Sequence, residues 1–502
     1  MSVTVQEALD RVNEMETKTN AFGYGMSVVY YDGDTIAPPE STKARGEFFS
    51  AMTELMYKLS VNPEIEEAIY CLADNADKLD ERTNRRVEIL KEDYDRSKKI
   101  PMEEQVEYAR LQNEATAVWH EAKENNDYDS FAPLLEKMVE TNVRFNSYTN
   151  PGEDPYEVQL NRYEKGSGVA YCDRYFDTVR KSVVPLLAAT QQKEQPDASF
   201  LEKNHFPEYI QKKLSKYLMD LLTLDPRKSI IGETEHPFTS GLCNHDVRIT
   251  THYYEDKFES SMYSVIHESG HALYELGVSD EIADSCLGSI SSMSMHESQS
   301  RFFENIIGRS REFCGLIMPK LKELFPEQFA GITAEQLYRA VNRANPSLIR
   351  TEADELTYSL HIMVRYEIEK MLFAGKVKVG ELPELWNSLY KQYLGVDVPD
   401  NKRGVLQDTH WAGGLFGYFP SYSIGSAYGA QMYHTMSKDI DIKKTVASGD
   451  LAPICGWLRE RMWKYGAGIR SGEVINKVCG EDFDPKYYVD YLTDKYTEIY
   501  SL

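Results

Sequence analysis

Residues 258–277 read FESSMYSVIHESGHALYELG, and the remainder of the chain is arranged around them. Met262, Ile266, Leu273 and Leu276 recur at helical spacing, which predicts one buried helix. Ser260 or Ser261 is a candidate cap for its start, and Gly277 a candidate left-handed end. Residues four apart on a helix share a face, so His267 and His271 point at one spot. Two imidazoles placed this way can hold one divalent metal, with Glu268 beside the open side of the ion. Two core histidines satisfied by hydrogen bonds would also produce the pattern. Gly270 argues against that: a mid-helix glycine costs about 1 kcal/mol relative to alanine, which is more easily understood where something approaches the backbone closely.

His267-Glu268-x-x-His271 is the H-E-x-x-H pattern of zinc peptidases, in which the glutamate is the general base. Two histidines leave zinc one short of the three protein ligands usual in a catalytic site. Six of the eleven histidines lie between His236 and His296. The stretch MHESQSRFFENIIGR, one helix downstream, offers Glu297 or His296 as the third ligand. Glu297 is preferred, because a carboxylate with two histidines leaves the fourth position to water. An exposed glutamate in the first turn of a helix, favoured there by the dipole, would look the same in sequence. Zinc suits the ligand set, and cobalt or manganese can occupy it.

Composition sets bounds. The chain has 502 residues, 42% hydrophobic and 27% charged, as expected of a globular protein with a large core. Its formal charge of −24, from 80 acidic and 56 basic side chains, excludes nucleic acid and anionic membrane as natural partners. Cys71, Cys172, Cys243, Cys286, Cys314, Cys455 and Cys479 form no C-x-x-C pair. An odd, scattered set fits free thiols in a reducing compartment. The first residues, MSVTVQEALDRVNEMETK, contain no apolar core of a signal peptide, and no run reaches membrane-spanning length. The expected location is the cytoplasm.

The chain from Val5 to about Gln192 is expected to be helix after helix, as over Glu47–Leu59, Arg82–Lys98, Met102–Asn125 and Phe131–Ser147. Breaks fall at Pro38-Pro39, 149–155 and 191–204. Another helix is expected over Phe206–Leu224. The segment 241–254, GLCNHDVRITTHYY, alternates and is rich in β-branched and aromatic residues, predicting one or two short strands. Helices are then expected from His296 to about Met318, ended or kinked by Pro319, and from Ala353 to Phe373, with a loop over 395–414. The predicted fold is mainly α with one small sheet beside the metal helix. No linker is evident, so 1–502 is expected to be one catalytic unit, with a helical half at 1–225 and the metal-binding half at 226–502.

His267-Glu268-Ser269-Gly270-His271, followed by His296-Glu297-Ser298-Gln299, resembles the carboxypeptidase Taq family of zinc metallocarboxypeptidases. The resemblance extends to HPF at 236–238, D-x-R-x-T at 246–250, I-R-T-E-A-D at 349–354 and G-x-x-Q-D-x-H-W at 404–411, all in the family's order. Near the N-terminus, YDGDTIAPPESTKARGE (31–47) is similar to the family's W-D-Q-E-T-x-M-P-P segment but departs from it at Tyr31, Gly33 and Ala37. The resemblance implies a nearly all-helical fold with a deep groove, zinc at its floor, and a homodimer. It assigns His267, His271 and Glu297 as ligands, Glu268 as base, and a peptide with a free C-terminus as substrate. Arg248 and Arg350 fall in the two motifs given to gripping the terminal carboxylate, a task for which the planar guanidinium fork is suited. Asp246 and Asp354 would hold those arginines, and Thr250 would be a supporting donor. His236 would contact substrate or buttress the strand.

The oxyanion that develops during peptide hydrolysis needs a donor besides the metal. Tyr418 and Tyr422, with His410 just upstream, are the candidates, and Tyr422 is preferred. Two other functions share this sequence pattern. One is an oligopeptidase cleaving internal bonds, which unlike an exopeptidase would tolerate a blocked C-terminus. The other is a non-catalytic zinc-containing peptide-binding protein, which the intact Glu268 disfavours.

Overall fold

A computed structural model describes residues 3–202 and 204–502. Its first helix, Val5–Thr35, is started by a capping box: Thr4 accepts from the Glu7 amide, and the Glu7 carboxylate accepts from the Thr4 amide. Together with the helices Pro63–Asp74 and Glu81–Lys99 it builds a small core of its own, from Ala8 and Val12 to Ile69, Leu72 and Tyr94. A second core is large and continuous, running through the chain from Ala115 to Tyr500 without a break at residue 225, and Val278, Ile282 and Leu287 form a third, small cluster. Helices expected over 47–59, 82–98, 102–125 and 131–147 appear as Thr42–Ser60, Glu81–Lys99, Met102–Asn125 and Tyr128–Thr149. The helix expected over 206–224 is Glu208–Leu221.

The sheet has three strands, β1 (Ser229–Glu233), β2 (Thr239–Cys243) and β3 (Asp246–Thr251), in the order β1-β3-β2. β1 runs parallel and β2 antiparallel to β3. The segment over 241–254 supplies β3 and the end of β2. β1 was not expected, because its stability lies in pairing with a strand some eighteen residues downstream rather than in its own alternation. Val247 and Ile249 are fully buried, which seats the sheet in the large core beside the histidine helix.

That helix spans Phe258–Gly277, without a side-chain cap at its start. The serine caps foreseen are therefore not used: Ser261 is buried and gives its hydroxyl to Gln211 of the neighbouring helix. Gly277 does not form a left-handed end either. It is a contact residue, where a Cβ would stand 2.7 Å from Cβ of Trp463. Gly270 has the role its cost suggested, since a Cβ there would lie 2.6 Å from the Gln299 carbonyl oxygen and 2.7 Å from Cα of Ser300. The crossing helix it admits is Met293–Arg301, which carries Glu297. On the other side of that helix Gly425, in the helix Phe419–Met436, comes equally close: a Cβ would be 2.8 Å from Cβ of Glu297. Two glycines thus let three helices meet at one carboxylate.

The single helix expected from His296 to Met318 is instead three segments. Met293–Arg301 passes into a π-helical turn at Phe302–Ile307, and an α-helix restarts over Arg311–Leu324, capped by Ser310. Pro319 lies inside this last helix rather than ending it, and buried Ile317, Met318 and Leu321 anchor the turns on both sides. The later helix is Glu355–Phe373, and irregular chain follows over 395–418. Among the described residues all seven cysteines are free, and no helix is long and apolar enough to cross a membrane.

Candidate metal centre

One helical turn separates His267 from His271, and both rings reach toward the neighbouring helix. Their Nε2 atoms lie 3.8 and 3.5 Å from Oε2 of Glu297. All three candidate ligand atoms fall within 4.8 Å of one another, and among the described residues no other group of three possible ligands does so. The other Glu297 oxygen is occupied, Oε1 accepting from Nε of Arg301 at 2.7 Å. That bond turns Oε2 toward the histidines. Burial opposes ionisation of Glu297, but Arg301 and the two imidazoles hold its carboxyl well below the usual range. His296, the alternative third ligand, stacks on the His271 ring at 4.1 Å and directs Nε2 to within 3.2 Å of Glu275.

A supporting set surrounds these groups. Nδ1 of His267 is 2.8 Å from Oε2 of Glu304, a carboxylate that also receives Arg301 and Arg309. This fixes which nitrogen of His267 faces forward, as carboxylate partners of metal-binding histidines do. Burial, with His296 alongside, pushes His271 down to about 3, so it presents a neutral imidazole. Neutral imidazole and ionised carboxylate are the forms in which these side chains bind a metal. The residues present therefore fit a divalent cation with one position left open.

Glu268 is buried on the same helix, and its Oε2 accepts from the Thr239 hydroxyl of β2 at 2.6 Å. Burial raises its carboxyl above the ordinary range. Its other oxygen remains free for a proton.

A second cluster lies where helix Glu355–Phe373 meets the irregular chain. Arg350 is buried and pairs with Asp408: Nε donates to Oδ1 at 3.1 Å and Nη2 to Oδ1 at 2.9 Å. Nη1 donates to the Tyr358 hydroxyl at 3.2 Å. Arg365 reaches the same carboxylate from the opposite side, with Nε 2.7 Å from Oδ2. Burial opposes ionisation here as well, yet the two guanidiniums hold Asp408 far below its usual range. Two cations against one anion leave one positive charge in excess. Asp408 and Tyr358 take three of the five N–H groups of Arg350, leaving one on Nη1 and one on Nη2. Tyr358 joins the two clusters, because Arg301 stacks on its ring at 3.9 Å.

Tyr418 and Tyr422 stand at the start of helix Phe419–Met436, their rings 5.1 Å apart, and Nε2 of His410 is 3.2 Å from the Tyr422 hydroxyl. Burial pushes Tyr418 up to about 12 and raises Tyr422 well above the ordinary range, so both keep their protons as donors. Burial also lowers His410 to about 3, and its Nδ1 has no hydrogen-bond partner among the described residues.

Of the remaining expected residues, Asp246 holds Arg248 as foreseen and Asp354 does not hold Arg350. Arg248 pairs with Asp246 on β3 at 2.8 and 2.9 Å and lies over the Tyr31 ring, while Tyr24 donates to the same aspartate. Asp354 does not hold an arginine. It caps helix Glu355–Phe373, accepting from the amides of Thr357 and Asn345. Arg350 turns instead to Asp408, which lies in the quoted G-x-x-Q-D-x-H-W motif but was not singled out. Thr250 is fully buried and clasps both backbone groups of Phe238, accepting from its amide and donating to its carbonyl. His236 is exposed. Sequence reasoning also passed over Arg301, Glu304, Thr239 and Arg365. Arg301 and Glu304 stand four and seven residues after Glu297, on its face of the helix, and that spacing was the available signal.

The chain is similar to known proteins over nearly its whole length. The family described as "Carboxypeptidase Taq (M32) metallopeptidase" matches residues 11–496. The chain is 38% identical over 483 residues to Carboxypeptidase 1 of Bacillus subtilis, covering 96% of each chain. It is 34% identical to Thermostable carboxypeptidase 1 of Pyrococcus furiosus, over 95% of this chain and 96% of that one. The crystal structure of the M32 carboxypeptidase from Deinococcus radiodurans superposes with a TM-score of 0.96 at 32% identity, covering 99% of this chain and 100% of that one.

Proposed function

The chain belongs to the carboxypeptidase Taq (M32) metallopeptidase family and is a metallocarboxypeptidase, and from that premise we propose that it uses zinc, held by His267, His271 and Glu297, to release single C-terminal residues from peptides. The observation that carries the reading is the convergence of those three ligand atoms beside a buried Glu268. When bound, zinc supplies Lewis acidity, which makes water a nucleophile near neutral pH and polarises the scissile carbonyl.

The chain's own residues do the rest. Glu268, one oxygen held by Thr239, takes a proton from the attacking water on the other and returns it to the leaving amine. Tyr422 and Tyr418 offer hydroxyl protons to the developing oxyanion, with His410 orienting Tyr422. The two remaining N–H groups of Arg350 receive the terminal carboxylate, which meets the one excess positive charge of the Arg350–Asp408–Arg365 group. Arg248, locked to Asp246, is the second candidate for that carboxylate or the neighbouring peptide unit.

Mass spectrometry of a peptide digest, made after zinc loading, tests the reading. A ladder shortened one residue at a time from a free C-terminus, with the amidated peptide left intact, is the expected result. Cleavage inside the amidated peptide would overturn it in favour of an endopeptidase.

A further inference from the structure

Glu369 is fully buried, and the reaction as proposed does not use it. It lies one turn beyond Arg365 on helix Glu355–Phe373, facing the irregular chain that carries His410 and Tyr418. Three donors converge on its carboxylate. Trp411 Nε1 gives to Oε1 at 2.7 Å, the Gly417 amide to Oε2 at 2.8 Å, and the Tyr156 hydroxyl to Oε2 at 2.9 Å. Trp411 follows His410 directly, and Gly417 directly precedes Tyr418. One carboxylate therefore grips both ends of the turn between His410, which orients Tyr422, and the proposed donor Tyr418.

The rest of the turn shows why a grip is needed. Residues 411–417 contain no helix or strand, and Gly414 and Gly417 both adopt positive φ. At Gly417 the chain runs against helix Pro155–Tyr163, where a Cβ would lie 2.6 Å from the Gln159 carbonyl carbon. The ring of Tyr163, from that helix, meets Tyr418 edge-on at 5.0 Å. Burying a carboxylate is costly, and an apolar residue at 369 would leave an indole N–H, an amide and a hydroxyl without acceptors. An acid with three donors aimed at it at one junction is a device for fixing chain position.

We propose that Glu369 is a positioning residue: by binding Trp411 and Gly417 together it sets the spacing of His410 and Tyr418. The inference rests on the roles assigned above to those two residues, His410 orienting Tyr422 and Tyr418 donating to the oxyanion. A misplacement of about 1 Å can cost roughly a hundredfold in rate, so the shape of this turn matters to turnover.

Glu369→Gln tests it. The amide group of glutamine must face at least one of the N–H donors, so one end of the turn is released. Hydrogen exchange of residues 409–418 should quicken while that of the histidine helix stays native, and bound zinc should be unchanged. Turnover should fall about ten- to a hundredfold, with KM for a free-acid peptide altered less than about threefold, because Arg350 is held by Asp408 and not by Glu369. In a His410→Ala, Tyr418→Phe background the same substitution should cost less than about threefold. Trp411→Phe, which deletes one donor and keeps the packing, should give an intermediate loss if Glu369→Gln folds poorly. Unchanged exchange over 409–418, or equal losses in both backgrounds, would overturn the inference. Failure of those roles has its own signature, a His410→Ala, Tyr418→Phe enzyme of native activity before residue 369 is touched.

Discussion

At the scale of single residues, the proposed metal ligands and the proposed base separate experimentally. Glu268→Gln should keep bound zinc and lose about a hundred- to ten-thousandfold in turnover, because the ligands remain and only the proton acceptor is gone. Glu297→Ala should lose both, and zinc content by elemental analysis beside activity tells the two apart. Full zinc occupancy in Glu297→Ala would remove it from the ligand set. Arg350→Ala should cut kcat/KM for a free-acid peptide about a hundredfold or more, while barely changing the slow reaction of the matched amide. The acid-to-amide ratio should therefore collapse toward one. Equal fractional losses on both peptides would make Arg350 structural. The histidines and Glu268 were legible because one helical period fixes their relation. Glu297 was legible because two histidines call for a third ligand, and the H-E-S-Q stretch one helix downstream offers a carboxylate. Asp408 was not: it meets Arg350 from 58 positions away, across irregular chain, where no periodicity connects them. Asp354 looked like the partner because it is four residues from Arg350, but a 3-10 turn at Arg350–Glu352 intervenes and Asp354 starts the following helix.

At the scale of elements, the decisive feature is the close meeting of the histidine helix with the glutamate helix. Gly270→Ala would place a methyl group against the backbone of Gln299 and Ser300, which cannot rotate away. The helices must part by several tenths of an ångström or more, carrying Glu297 from the two imidazoles. Zinc affinity should fall at least about tenfold, measured by competition with a chelator, since even residues that only orient metal ligands typically cost ten- to a hundredfold. Gly315→Ala is the matched control. That glycine also sits within a helix, but a Cβ there meets nothing within 4 Å. It should raise stability by about 0.4–1 kcal/mol and leave metal binding alone. Most helices were readable because each buries one apolar stripe. The π turn at Phe302–Ile307 was not, since its residues are buried all round and carry no stripe to count.

At the scale of the molecule, the large core encloses ionisable groups that tie stability to pH. Burial raises Glu164 to about 7, with the Tyr428 hydroxyl its partner at 3.4 Å. Its pKa is higher folded than unfolded, so its contribution is fully present below about pH 4 and is lost as pH rises toward 7. A shift of this size corresponds to about 3 kcal/mol. Glu164→Gln should therefore flatten the decline in thermal midpoint between about pH 4 and 7, and an unchanged slope would exclude Glu164 as its source. The loop from Leu406 to Gly413 adds a constraint of another kind. Three donors on helix Met102–Asn125 hold it: Gln112 to Gly413, Trp119 to Leu406 and Lys123 to Gln407, partners 301, 287 and 284 positions apart. Contacts of such span form late in folding, since closing a long chain segment costs entropy before any contact is made. A nascent chain leaving the ribosome presents Gln112, Trp119 and Lys123 long before their partners exist. While it is being made, the enzyme is surrounded by unfinished copies of itself. None of them has an assembled site with which to trim the others.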